Sequence, residues 1–337
     1  MLIQLKEDIS AQQKSGIVEK ITGAGLHIKE VKTQLNSYLV CIGDEELDIR
    51  AIGNMEGVGD IHHVTDNYKL VSRKWKVKDT RIDLGDDVVI SREEFAIMAG
   101  PCAIEGEDQI RNTVDHLVKN NIRIMRGGVF KPRSSPYSFR GVGIEGLKIF
   151  SKICREQGIK VITEVMHVGQ IDDMLDHVDI FQVGARNSQN FNLLDALGSV
   201  DKPVLLKRGM SGTIDELLYS AEYVFSGGNE KIILCERGIR THEKAYRNTL
   251  DLNAVPILKD KTHLPVIVDP SHGLGLRRYI EPMGLAAVMA GADGVITEVH
   301  EHPEKALSDG QQTLNFIEAE QYYKHLRETW KLKISLK

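Results

Sequence analysis

No apolar run in the 337 residues approaches the roughly 18 needed to cross a bilayer. The start, MLIQLKEDIS, is charged by residue 6 and lacks a signal-peptide core. Both absences point to the cytoplasm. Cysteine is scarce and scattered: Cys41, Cys102, Cys154 and Cys235 form no CxxC pair, which excludes a disulfide framework. Positive charge is not in excess. With 43 Lys and Arg against 48 Asp and Glu the net charge is −5, which argues against a general nucleic-acid binder. What remains is an ordinary globular composition, 42% hydrophobic and 27% charged.

The first 67 residues read as a unit of their own. LIQL, LHIKEV, QLNSYLVCI and DIHHV read as strands, with SAQQKSGIVEKI and GDEELDIRAIG as helices. This β-α-β-β-α-β order is that of a split βαβ, ferredoxin-like α+β module. A unit so small buries little core, so it is expected to dock on something larger or on its own copy. Residues 68–93 read as a linker and hairpin.

From residue 94 to 337 the pattern becomes a steady alternation of strands and amphipathic helices. The strands are FAIMAG, RIMRGG, KVITEV, DIFQVG, PVLLKRG, KIILCERG, LPVIVDP and GVITEVH. Thr213 and Glu216 make a capping-box signature at one helix start. Eight such units predict a (β/α)8 TIM barrel. The alternative, a doubly wound sheet, is often marked by a glycine-rich G-x-G-x-x-G turn, and none follows the first strand.

In such barrels the chemistry sits at the C-terminal strand ends. That position gathers cations: Arg126, Lys131, Arg133, Arg186, Lys207 and Arg237. A net-negative chain that collects cations at one mouth is built for multiply charged anions, phosphorylated or carboxylated, which Arg holds bidentately. A single member of this set could equally be a surface salt-bridge partner.

Cys102, just past the first barrel strand in GPCAIE, could be a nucleophile, a metal ligand or a small buried hydrophobe. With His272, Glu298 and Asp309 it makes a mixed S, N and O set, suited to a divalent ion of the Mn, Fe, Co or Zn type. The strands concerned adjoin when a barrel closes. Singly, His272 could be a core histidine and Asp309 a turn residue. His62, His63, His167 and His242 carry little signal, and Cys41, Cys154, Trp330, Tyr322 and Tyr323 read as packing residues.

GPCAIE, RGGVFKPRSSPYSF, GARNSQNF, VLLKRG, ILCERGIRT, VDPSH and EVH…ALSDG, in that order, strongly resemble the 3-deoxy-D-arabino-heptulosonate 7-phosphate (DAHP) synthases. The nearest form is type Iβ, with an N-terminal ferredoxin-like regulatory domain. The resemblance implies condensation of phosphoenolpyruvate with erythrose 4-phosphate, the first step of the shikimate pathway. It implies that Arg126 and Lys131 hold the phosphoenolpyruvate carboxylate side, and that Arg186, Lys207 and Arg237 hold its phosphate. Arg133 and Ser134 would take the sugar phosphate. Cys102, His272, Glu298 and Asp309 would bind one divalent metal ion per subunit, and Glu164 would handle a proton or water. A homotetramer and an aromatic amino acid effector (Tyr or Phe) are implied as well. Rival readings are 3-deoxy-octulosonate 8-phosphate synthase, a related barrel that carries an Asn-Arg-Ser loop where KPRSSP stands here, and a non-catalytic amino-acid sensor.

Overall fold

In the N-terminal sheet, residues two apart share a face, so the pattern of apolar positions decides what each face meets. The computed structural model describes residues 1–43, 45, 48–132, 135 and 137–336. It begins with β1 (Leu2–Leu5), α1 (Ala11–Gly23), β2 (His27–Lys32), β3 (Ser37–Ile42), α2 (Ile49–Gly53) and β4 (Val58–His62). The strands pair antiparallel in the order β2-β3-β1-β4, as a split βαβ module requires. Ile3, Leu5, Leu39 and Cys41 form one small core with Ile17 and Ile21 of α1 and Ile52 of α2. α1 opens on a capping box, Ser10 with Gln13. The second helix is shorter than expected: Asp48 caps it by accepting from Arg50 N–H, and residues 44, 46 and 47 lie outside the described set.

The other face of this sheet, with Leu2, Tyr38 and Val40, belongs to the main core of the molecule. The unit therefore docks on the barrel. Tyr38 meets Trp75 edge-on at 5.4 Å and Phe225 at 6.0 Å. Below the rings the buried Glu230 carboxylate accepts from Tyr38 Oη and Asn36 Nδ2, each at 3.3 Å, and from Thr33 Oγ1. Lys76 Nζ stands 3.6 Å from its other oxygen. Glu222 ties down the connector by accepting from the backbone N–H groups of Lys69, Leu70 and Val71.

A hairpin, β5 (Ile82–Asp83) with β6 (Val89–Ile90), precedes the barrel strands. These are β7 (Ala96–Gly100), β8 (Ile124–Arg126), β9 (Lys160–Val165), β10 (Ile180–Val183), β11 (Val204–Lys207), β12 (Ile232–Glu236), β13 (Val266–Val268) and β14 (Gly294–Glu298). All pair in parallel, and β14 closes on β7 with Glu298 opposite Gly100. The expected barrel is therefore present with all eight strands. Its helices begin with α3 (Glu107–Lys119), α4 (Gly143–Glu156), the short α5 (Ile171–Leu175), α6 (Phe191–Gly198), α7 (Ile214–Ser226) and α8 (Ala254–Lys261). Thr213 and Glu216 form the predicted box at the start of α7. Among the described residues no helix is long and apolar enough to cross a membrane.

Strand periodicity also builds the mouth. Ile124, Ile162, Ile180, Leu205, Cys235, Ile267 and Ile296 fill the barrel interior, closed from below by Ile82, Val88 and Ile90 of the hairpin. Two residues further along each strand the inward position becomes polar: Arg126, Glu164, Gln182, Lys207, Arg237, Asp269 and Glu298. An apolar plug thus carries a charged layer on its upper side.

Candidate active site

Cys102 leaves β7 through Gly100, whose φ of +153° disfavours any side chain. A Cβ there would lie 2.0 Å from the Arg126 carbonyl oxygen, so only glycine lets β7 and β8 approach this closely. Cys102 Sγ lies 3.4 Å from Asp309 Oδ2 and 3.1 Å from Ser308 Oγ. Cys102, Glu298 and Asp309 each offer a ligand atom within 4.8 Å of the others. His272 stands beside this trio, its Nε2 3.4 Å from Glu298 Oε1.

The protonation pattern suits a cation. Asp269 caps the short helix α9 (Pro270–Leu274): Oδ1 accepts the His272 backbone N–H at 2.9 Å and Oδ2 faces Nδ1 at 2.8 Å. Burial alone would push the Asp269 carboxyl up, but His272 and Lys207 hold it well below the usual carboxylate range. As an ionised acceptor it requires Nδ1 to donate. Burial lowers the His272 pKa against the pull of Asp269 and Glu298, favouring neutral imidazole. Nε2 then points a lone pair at a carboxylate oxygen, an arrangement that a cation between them makes favourable. Glu298 is ionised too. Burial opposes this, yet its neighbours, His272 when it carries its proton and Arg126 and Lys131 throughout, draw its pKa down. Burial and Glu298 push the Cys102 thiol up to about 12, so metal binding at this sulfur would release a proton. Thiol, imidazole and two carboxylates fit a borderline divalent ion.

The cations divide into two groups. Arg126 Nη1 donates to Glu298 Oε1 at 2.8 Å, while its buried Nε has no hydrogen-bond partner. Lys131 Nζ donates to the Cys102 carbonyl at 2.9 Å and reaches Sγ at 3.1 Å. Lys207 Nζ bonds Asp269 Oδ2 at 2.5 Å. Arg126 and Lys131 are thus bound to the ligand cluster itself, and Lys207 to the carboxylate that orients His272. Arg237 donates to the Gly238 carbonyl, and neither it nor Arg186 pairs with a carboxylate among the described residues. Arg133 and Ser134, expected at the sugar phosphate, lie outside the described residues.

Glu164 accepts from Gln182 Nε2 at 3.4 Å, and a Cβ at Gly184 would lie 2.1 Å from its Oε1. Glu236, also at a strand end, is wholly buried and serves structure: it accepts from Arg208 Nη1 at 2.9 Å and Gly238 N–H at 2.6 Å. Sequence reading gave no role to Asp269, although its position three residues before His272 is an N-cap spacing that could have marked it. It also missed Gln312 and Arg247, for which no local signal exists.

Fold and mouth together define an enzyme of the (β/α)8 class, with a cation-lined C-terminal face and a cluster of side chains that could hold a metal ion. Residues 75–334 match the DAHP synthetase I family, and the chain belongs to that family of metal-dependent enzymes. It is 45% identical over 317 residues to a phospho-2-dehydro-3-deoxyheptonate aldolase of Thermotoga maritima, covering 94% of each chain. A 2-dehydro-3-deoxyphosphooctonate aldolase of Syntrophobacter fumaroxidans is 36% identical over 250 residues, 68% of this chain and 85% of that one. The crystal structure of the Thermotoga maritima phospho-2-dehydro-3-deoxyheptonate aldolase superposes with a TM-score of 0.77 at 43% identity, covering 99% of this chain and 97% of that one.

Proposed function

We propose that the chain is a DAHP synthase, condensing phosphoenolpyruvate with erythrose 4-phosphate and water to give DAHP and phosphate. The observation that carries this reading is the gathering of Arg126, Lys131 and Lys207 around Cys102, His272, Glu298 and Asp309 in a member of this family. The buried, unpartnered Nε of Arg126 supplies a donor that a substrate carboxylate would satisfy.

In the reaction, carbon 3 of phosphoenolpyruvate attacks the aldehyde carbon and positive charge develops at carbon 2. Water adds there, and the aldehyde oxygen takes up a proton. The resulting hemiketal phosphate loses phosphate by C–O cleavage as its hydroxyl proton leaves. Arg126 and Lys131 hold the carboxylate side, and Arg186, Lys207 and Arg237 hold the phosphate. Arg133 and Ser134 hold the phosphate of the aldehyde. Fixing both anions brings the reacting carbons together and stabilises developing charge without reorganisation. Cys102, His272, Glu298 and Asp309 hold a divalent ion of the Mn, Fe, Co or Zn type. When bound, that ion supplies Lewis acidity toward the aldehyde carbonyl. Glu164 lies on the inward face to hold a proton or water. The test is phosphate release with erythrose 4-phosphate against arabinose 5-phosphate. A preference for the five-carbon sugar would assign the octulosonate activity instead, and no turnover with either would favour a non-catalytic sensor.

The N-terminal unit, residues 1–67, is read as a feedback-regulatory domain for tyrosine or phenylalanine. Its anchor supports this: Glu230 lies just before β12, whose far end carries Arg237. A cytoplasmic location and a homotetramer complete the reading.

A further inference from the structure

The two oxygens of Glu298 have different company. Oε1 serves Arg126 and faces His272, whereas Oε2 accepts from Gln312 Nε2 at 2.6 Å. Gln312 is buried, and its own Oε1 accepts from Arg247 Nη1 at 2.8 Å. The same Nη1 stands 3.6 Å from Asp309 Oδ2. Amide and guanidinium together bridge two carboxylates that like charge would drive apart. The backbone reinforces this bridge. Asp309 is held in the left-handed region, φ 52° and ψ 30°, and its carbonyl accepts from Gln312 N at 3.2 Å and Thr313 Oγ1 at 2.9 Å. Leu314 N–H closes the loop on the Glu298 carbonyl at 3.0 Å.

We propose that Gln312, held by Arg247, is a positioning residue that aims Glu298 and Asp309 together and thereby sets the affinity for the divalent ion. The inference rests on the metal-centre reading given above. An amide suits the place because it donates to the carboxylate and accepts from the guanidinium at once. A glutamate side chain lacks the donor and a lysine lacks the acceptor.

The experiment loads the full-length protein with manganese(II) and follows its transfer to a competing chelator, alongside the Tm of the metal-free protein. Wild type and Cys102→Ser separate the two ideas. If wild type holds no manganese, or Cys102→Ser holds it equally well, the metal-centre reading fails and this inference falls with it. If wild type binds, Gln312→Met decides, since it keeps the volume and removes both hydrogen bonds. Its dissociation constant is expected to rise about 10- to 100-fold, while the metal-free Tm falls only by what the two lost hydrogen bonds cost. Arg247→Met should act in the same direction, and the double variant should lose less than the sum. Wild-type affinity in Gln312→Met overturns the proposal, as does a Tm loss that tracks the affinity loss. Should Gln312→Met not fold, unchanged affinity in Arg247→Met, at its partly exposed position, overturns it.

Discussion

Arg126 and Glu298 are each other's counter-ions: Nη1 and Oε1 lie 2.8 Å apart, with side chains 5% and 1% exposed. A cation assigned to substrate and a carboxylate assigned to metal thus neutralise one another across β7, which separates β8 from β14 in the barrel. Removing one partner strands a buried charge, whereas removing both does not. Glu298→Ala is expected to lose about 3 to 5 kcal/mol in urea unfolding. The Glu298→Ala/Arg126→Met pair should regain most of that stability without regaining metal. An unchanged midpoint in Glu298→Ala would contradict the geometry.

Cys102→Ser tests the sulfur ligand. A serine hydroxyl is a harder and far less acidic donor, so affinity for a borderline ion should fall by more than about tenfold, and activity with it. Metal content after dialysis, read beside turnover, checks this. Full turnover in metal-free Cys102→Ser protein would rule the assignment out.

His263 predicts the acid limb of stability. It is fully buried, with Nε2 2.9 Å from the Leu70 carbonyl and Nδ1 2.7 Å from Thr80 Oγ1. Burial, aided by Lys76, pushes its pKa down to about 3. The fold refuses a proton that the unfolded chain accepts below about pH 6.5, so stability present above that pH is lost as pH falls toward 3 and then levels off. By pH 4 the contribution is about 3 kcal/mol. His263→Gln should flatten the stability–pH slope between pH 6.5 and 4; equal slopes in both proteins would refute the neutral, buried histidine.

A chain beginning near residue 70 tests the regulatory reading. It removes Tyr38 from Trp75 and Phe225 and takes three polar partners from Glu230, so its Tm should fall. Turnover should persist, and any response to tyrosine or phenylalanine should vanish. Loss of turnover, or a full-length enzyme indifferent to both amino acids, would defeat it.

The barrel strands and the β-α-β-β-α-β order were legible because periodicity and turn residues are local signals. The switch from apolar plug to charged mouth was legible as well, since alternation along a strand needs no partner. The short α2 was less so: Asp48, rather than the turn at Gly43, provides its N-cap. Local sequence could place Arg126, Lys207 and Glu236 at strand ends but could not say what they face. Only closure of the barrel paired Arg126 with Glu298 and Lys207 with Asp269, and gave Glu236 to Arg208. The bridge from Arg247 through Gln312 to Glu298 spans loops far apart in the chain. Sequence by itself determined which chemical groups reach the mouth; the tertiary structure decided which of them neutralise one another, because a charge's partner is set by distance in space.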